Sequence, residues 1–369
     1  MNPYVPDNLP LRKEIINWAE HVTLIGNARA ALARFNGVLQ AMPNPQVLLS
    51  PLATQEAVLS SKIEGTITSM EEVLEFEASP TSNISMEKRD DLREVINYRQ
   101  AIRAAVDDMN KRPLCLNLIR DLHCVLMSGS VRGQDKMPGE IRINQNYIAP
   151  PGAPIEQATF IPPSPENVSP SLHNWEEYLY MEEKDPLVQL ALLKAQFELI
   201  HPFCDGNGRM GRMLIPLILY DKKLLSSPVF YLSAYLERNH EIYYERLKAI
   251  SRDGDWNGWI AFFLQAVVEQ SEENSRKAKA ILDLYNEMKQ HIRNVTHSQF
   301  GIDALDAIFD SPIFKSSYFI ARSNIPRGTA LRILRLLVKN SILFAVQEQS
   351  GRTPSLFCLP SLLGIAEDL

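Results

Sequence analysis

Cysteine is scarce in this chain of 369 residues: Cys115, Cys124, Cys204 and Cys358 stand far apart, and no C-x-x-C pair occurs. That spacing offers neither a disulfide framework nor a structural zinc site. Long apolar runs are also missing. No stretch approaches the length that spans a bilayer, and the first residues lack an apolar signal core. Nor is there an excess of positive charge, since the formal net charge is −6. The whole chain therefore exerts no general pull on nucleic acid or an anionic membrane. Internal repeats and low-complexity segments are absent as well. These absences leave a cytoplasmic protein, without a membrane partner, as the simplest expectation. Its length allows two or three domains with ample core.

What is present concentrates in twelve residues: His201-Pro202-Phe203-Cys204-Asp205-Gly206-Asn207-Gly208-Arg209-Met210-Gly211-Arg212. Upstream, Asp185-Pro186 provides an N-cap and a proline for the first helical position. Leu187, Leu190, Ala191, Lys194 and Phe197 continue at helical spacing to Ile200. His201-Pro202 ends that helix, because the residue before proline is pushed out of the α region. Gly206 and Gly208 supply the backbone freedom of a turn. Met210, Met213, Leu214, Leu217 and Ile218 then form the buried stripe of a new helix, with Pro216 inside it. Arg209 and Arg212 are expected to share a face away from that stripe. The N–H groups and positive dipole end at this helix start make an anion site, which two arginines extend toward more phosphate oxygens. A carboxylate just before the glycines suits Mg²⁺, which prefers few protein oxygens plus phosphate. His201 then stands at the edge of the site as a candidate base.

Gly206 to Gly211 also fits the G-x-G-x-x-G pattern of dinucleotide-binding folds. That pattern needs a strand before it, and here a helix-patterned segment precedes it. A glycine-rich helix start carrying surface arginines is the plainer alternative. The run more fully resembles the signature of the Fic family, His-x-Phe-x-(Asp/Glu)-Gly-Asn-Gly-Arg-x-x-Arg, with every specified position filled. The resemblance implies a mainly α fold, a Fic-like helical bundle with a small β-hairpin flap. It also implies transfer of AMP from ATP to a Ser, Thr or Tyr hydroxyl of a target protein or of the enzyme itself. His201 would then deprotonate the hydroxyl, and Asp205 would hold Mg²⁺. Gly206, Asn207 and Gly208 would cradle the α- and β-phosphates, with Met210 and Gly211 counted in the ATP site. Arg209 and Arg212 would bind the outer phosphates, and Phe203 would anchor the loop. UMP, phosphate and phosphocholine are other groups that the family transfers.

Ser60-Ser61-Lys62-Ile63-Glu64-Gly65 resembles the family's inhibitory motif, (Ser/Thr)-x-x-x-Glu-(Gly/Asn). Ser60 and Glu64 lie one helical turn apart, and a helix end at Gly65 also accounts for the pattern. In the inhibitory role, Glu64 would pair with Arg212 and take the place of the γ-phosphate. Gly139 to Ile148 and Ala158 to Pro163 read as two β-prone runs around a turn at Ala149-Pro150-Pro151-Gly152, a hairpin or a surface loop. The resemblance makes it the flap, whose Ile148 and Ala149 would clamp a target segment as an added strand. Tyr243 and Tyr244 match the family's tyrosine pair near the adenine, with core packing as the competing role.

The chain divides at about 87/88 and 273/274. Residues 1–87 hold a helical Leu11–Ala41 stretch and the inhibitory helix (about 55–65). Residues 88–273 hold the catalytic pieces, including the flap (about 139–163). Residues 274–369 hold a helical connector over Asn274 to Arg293 and a winged helix-turn-helix. In the last, Ser316 to Ala321 and Arg327 to Asn340 read as helices. Phe344–Val346 and Ser355–Leu359 read as strands of a wing around Gly351. From Lys315 to Arg352 there are seven basic residues against the single acidic Glu348. Arg327, Arg332, Arg335 and Lys339 could meet DNA phosphates, or the module could bind protein. Two functions therefore compete. One is a protein adenylyltransferase with ATP as substrate, restrained by Glu64. The other is a DNA-binding regulator whose core senses nucleotide. Self-association into a homodimer stays open.

Overall fold

The computed structural model describes residues 2–80, 84–129, 137–150, 152–347 and 355–367. It is mainly helical. The chain opens with α1 (Trp18–Ala41), the short α2 (Pro45–Leu48), α3 (Ser50–Ile63) and α4 (Met70–Ala78). Helix α4 starts in a capping box: the Ser69 side chain accepts from the Glu72 N–H, and the Glu72 carboxylate accepts from the Ser69 N–H. The helical pattern expected from Leu11 begins only at Trp18. Asn257 explains the delay, since its amide accepts from Asn17 N (2.8 Å) and donates to Ile15 O (2.7 Å), satisfying the backbone without a helical turn.

Next come α5 (Met86–Met109), α6 (Leu116–Leu126) and α7 (Pro165–Tyr180). Two helices form the centre: α8 (Pro186–Ile200) and α9 (Asn207–Asp221). The Asp185 carboxylate caps α8 by accepting from Leu187 N (2.8 Å) and Val188 N (3.2 Å). Helix α8 is buried on nearly every face, and α9 passes through Pro216 as one element. Around this pair pack α3, α5 and α6 on the α9 side, and α1, α7, α11 (His240–Asp253) and α12 (Trp256–Thr296) on the α8 side, with α10 (Ser233–Arg238) before them in sequence. The boundary expected at 273/274 falls inside α12, a continuous helix of 41 residues that lies along α1.

The chain then forms α13 (Gly301–Asp310), β1 (Ile313–Lys315), α14 (Ser316–Ser323), α15 (Arg327–Lys339), β2 (Phe344–Gln347), β3 (Leu356–Cys358) and α16 (Pro360–Glu367). The strands make an antiparallel sheet in the order β1-β3-β2, with Phe314 opposite Phe357 and Ala345 opposite Phe357 on the other side. Strand β1 went unread in the sequence, and the turn around Gly351 lies outside the described residues. Helices α13 and α16 reach back to pack on α3. A single hydrophobic cluster runs from Leu9 to Ala366.

The expected flap hairpin is the main departure. Among the described residues it contains one isolated bridge, Ile148 opposite Phe160, and no strand. The reason is the buried Arg142. Its guanidinium donates to the carbonyls of His201 (2.8 Å), Asn144 (3.1 Å), Pro163 (2.6 Å) and Ile200 (3.3 Å). Of these, only the carbonyls of Asn144 and Pro163 lie on the two limbs of the hairpin, where a longer ladder would otherwise use them.

Candidate active site

His201 is placed by the end of α8, where it takes the left-handed conformation (φ 51°) as the C-cap. Its Nδ1 lies 3.3 Å from the Glu198 carbonyl, which can only accept, so Nδ1 carries the proton and Nε2 the lone pair. Burial, followed by the charge of Arg142, outweighs the opposing pull of Glu198 and Glu64 and holds the ring below the ordinary histidine range. A neutral imidazole with a bare nitrogen is a base ready to accept a proton.

The loop beyond is braced from within. Asn207 Oδ1 accepts from Phe203 N (2.9 Å), and Asn207 Nδ2 donates to Phe203 O (2.8 Å). Gly206 sits at φ 73°, and a Cβ there would lie 2.9 Å from Met127 Sδ. The Phe203 ring stacks on His123 at 3.8 Å. Burial pushes the His123 pKa down to about 4. Helix α9 then begins, and its first-turn N–H groups have no partners within the helix. The Asp205 side chain, 32% exposed, accepts from Gly206 N (2.7 Å) and lies 3.8 Å from Arg209.

Both signature arginines are buried, although the face they share lies away from the apolar stripe of α9. Helices α3 and α5 cover that face of α9 and bring carboxylates to it. Arg209 lies 3.3 Å from Glu94 on α5. Arg212 donates from Nε to Ser60 Oγ (2.8 Å), and from Nη2 to Ser60 O (2.8 Å) and Glu64 Oε1 (2.6 Å). Glu64 caps the end of α3, and the chain turns away at Gly65 (φ 92°). Burial alone would raise the Glu64 carboxyl, but the Arg212 guanidinium holds it below its usual range. Glu64 also lies against Gly208, because a Cβ there would come within 2.2 Å of Glu64 Oε1. Arg209 Nε and Arg212 Nη1 are buried and, among the described residues, meet no hydrogen-bond acceptor.

A cavity of about 390 Å³ collects Glu64, His201, Gly208, Arg212 and Tyr243, with Ile148 and Ala149 at the flap. Other expected site residues stand elsewhere. The Met210 side chain is in the core, and a Cβ at Gly211 would meet Glu198 at 3.0 Å, so that glycine serves helix packing. The Asn207 side chain is committed to the loop, and neither Asp205 nor Arg209 lines the cavity. Glu198 and Lys194, which no sequence motif marks, complete the site. Lys194 Nζ pairs with Glu198 and donates to Tyr243 Oη (2.9 Å), while Tyr243 Oη donates to Glu198 Oε2 (2.6 Å). The signal was a lysine on the apolar stripe of α8, where a lone charge would be costly.

Residues 22–107 match the Fic/DOC family N-terminal model, and residues 113–219 match the Fic/DOC family model. The protein adenylyltransferase fic-1 of Caenorhabditis elegans is 36% identical over 84 residues, 22% of this chain and 15% of that protein. A probable protein adenylyltransferase of Aquifex aeolicus is 39% identical over 70 residues, 19% of this chain and 22% of that protein. The matched segments thus span under a quarter of those relatives. A Fic family protein from Desulfovibrio desulfuricans superposes with a TM-score of 0.57 at 19% identity, covering 97% of this chain and 98% of that one, a likeness of fold. The chain belongs to the Fic/DOC family.

Proposed function

We propose that the chain is a protein adenylyltransferase, moving AMP from ATP to a Ser, Thr or Tyr hydroxyl of a protein. The observation that carries this is the pair of buried guanidinium N–H groups, Arg209 Nε and Arg212 Nη1, which among the described residues lack acceptors beside an open helix N-terminus. Buried donors of that kind call for an anion, and phosphate oxygens fit them. In this reading His201 Nε2 takes the hydroxyl proton as the oxygen attacks the α-phosphorus. The bond from the α-phosphorus to the bridging oxygen breaks, and pyrophosphate leaves. The Ile148–Ala149 rim would hold a target segment through main-chain bonds.

Mg²⁺ fits the donor chemistry. Asp205 offers one partly exposed carboxylate next to the loop, and among the described residues no group of three or more His, Cys, Asp or Glu could hold a metal alone. Asp205 with phosphate oxygens would be its ligands, and the ion would neutralise phosphate charge. Glu64, set on Gly208 and bonded to Arg212, is read as the inhibitor that stands where the γ-phosphate must go. Four unpaired cysteines agree with a reducing compartment such as the cytoplasm. No helix among the described residues is long and apolar enough to cross a membrane.

A second reading, a DNA-binding regulator, draws on the exposed Arg327, Arg335 and Lys339 of α15 following the α14 turn. An intact base at His201 favours the enzyme. His201→Ala is expected to leave ATP affinity nearly unchanged while AMP transfer falls roughly 10²–10⁴-fold. Calorimetry with ATP and label transfer from α-labelled ATP read the two separately. Equal transfer by both proteins would remove His201 from the mechanism.

A further inference from the structure

His123 lies on α6, outside the cavity, and the proposed chemistry makes no use of it. It is nonetheless buried and bonded through both ring nitrogens. Gly139 N donates to Nδ1 (2.8 Å), and Nε2 lies 2.9 Å from the Asp205 carbonyl oxygen. An amide N–H can only donate and a carbonyl can only accept. The ring is therefore the neutral tautomer with its proton on Nε2, which donates to Asp205. Its two partners belong to the two sides of the site. Asp205 immediately precedes the glycines of the phosphate loop. Gly139 begins the flap limb that leads to Ile148.

Both partners are pressed onto this support. A Cβ at Gly206 would come within 3.3 Å of His123 Nε2, and one at Gly139 within 2.3 Å of Cys124 Sγ on α6. Arg120, also on α6, donates from Nε to the Gly139 carbonyl (2.8 Å). Further along the limb, Arg142 N and Asn146 Nδ2 donate to the carbonyls of Pro202 (2.9 Å) and Phe203 (3.0 Å). His123 extends this stitching to Asp205, immediately before the loop glycines, and its ring lies within 6° of parallel to Phe203.

We propose that His123 is a positioning residue that sets the phosphate loop against the flap limb, by accepting from Gly139 and donating to Asp205 at once. The proposal rests on the adenylyltransferase reading for its effect on rate, but not for its effect on ATP binding. The two bonds can be separated by substitution. In His123→Asn the short amide reaches the Nδ1 position and keeps the bond to Gly139. In His123→Gln the longer amide reaches the Nε2 position and keeps the donor to Asp205.

The test uses the full chain, with ATP and Mg²⁺ in calorimetry and self-labelling from α-labelled ATP in the Glu64→Gly background. His123→Asn is expected to weaken ATP binding and raise the KM for ATP by about 10- to 100-fold. His123→Gln should hold both within about twofold while kcat falls about tenfold, because the flap limb is loosened and the loop is not. Circular dichroism melting fixes a temperature at which all the proteins are folded. If the two variants change ATP affinity equally, or neither changes it, the positioning role is wrong. Nitrogen NMR of the unsubstituted protein gives an answer that no unstable variant can obscure. A His123 ring protonated on Nδ1 at neutral pH overturns the proposal, and a neutral Nε2-protonated ring supports it. Absence of labelling with intact ATP binding would instead defeat the enzymatic reading and leave the affinity comparison standing.

Discussion

Arg209 and Arg212 stand three residues apart on α9, and each faces a carboxylate from the N-terminal part of the chain. The two pairs differ in what can leave. Arg209 and Glu94 are 3.3 Å apart, with side chains only 4% and 3% exposed. Arg212 and Glu64 are 2.6 Å apart, but there the arginine is 1% exposed and the glutamate 34%. Glu94 sits within α5 and also accepts from Thr66 Oγ1 (2.8 Å). Glu64 is the C-cap just past the end of α3, before a glycine turn. Releasing Glu94 would strand two charges in the core, whereas Glu64 can swing into water and leave only Arg212 to be satisfied. In the proposed function, an incoming phosphate would do that. The first carboxylate is a fixed counterion and the second an exchangeable one.

The largest difference should appear in stability. Glu94→Ala is expected to cost about 3–5 kcal/mol, the usual range for removing one partner of a buried ion pair. Glu64→Ala should cost less than that, because Ser60 still accepts from Arg212 and water can enter where the partly exposed glutamate stood. Denaturant titrations of the two variants beside the unsubstituted protein measure both. Similar losses for the two would erase the distinction between fixed and exchangeable partners.

Activity should show the opposite order. If Glu64 holds Arg212 by on the order of 1–2 kcal/mol, Glu64→Gly should raise AMP labelling on the order of tenfold. Glu64→Asp should raise it less, since a shorter carboxylate still attracts Arg212. Gly208→Ala offers an independent route to the same release. Its Cβ would stand 2.2 Å from Glu64 Oε1 and so evict the carboxylate without touching its charge. A bulkier Gly208→Val should crowd the phosphates themselves and abolish ATP binding. Labelling from α-labelled ATP, with ATP affinity measured alongside, separates eviction from crowding. Unchanged or lower labelling for Glu64→Gly would end the inhibitory reading.

Much of this site was legible because its parts are contiguous. His201, the glycines and the helix that follows are local features, and Asp185-Pro186 marked the start of α8 without ambiguity. Burial of the arginines was not legible, since helical spacing fixes a face relative to its own helix and not to whatever covers it. Glu94 was silent for that reason, being one charged residue in a polar helix. The flap was legible in part, since among the described residues its two runs pair only at Ile148 and Phe160. Its residues have strand propensity, but Arg142 takes the Asn144 and Pro163 carbonyls that longer pairing would need. Lys194 was in plain view on an apolar stripe, and reading it as a buried charge would have called for its partner, Glu198.

A third carboxylate sets the scale for the other two. Glu56 lies on α3, the helix that Glu64 caps, but among the described residues no arginine bonds to it. It accepts from Ser233 N (3.0 Å) and Ser233 Oγ (2.6 Å), and Tyr98 Oη lies 3.5 Å away. Burial pushes its pKa up from 4.5 to about 7, with the Ser233 bonds and the field of Arg212 opposing the rise. A carboxyl raised on folding stabilises the fold fully below its unfolded value and loses that contribution as pH climbs through the folded value. The window here is therefore pH 4.5 to about 7. Glu56→Gln keeps an acceptor for Ser233 but cannot ionise, so it escapes the loss. Between pH 5 and pH 8 the variant should gain on the order of 1 kcal/mol relative to the unsubstituted protein. Thermal melting at matched ionic strength reads this as a difference that widens with pH, in which titrations common to both proteins cancel. A constant difference across that range would mean that Glu56 stays ionised in the fold, stabilised by Arg212 as Glu64 is. The line between a carboxylate that Arg212 holds and one that it leaves alone would then have to be redrawn.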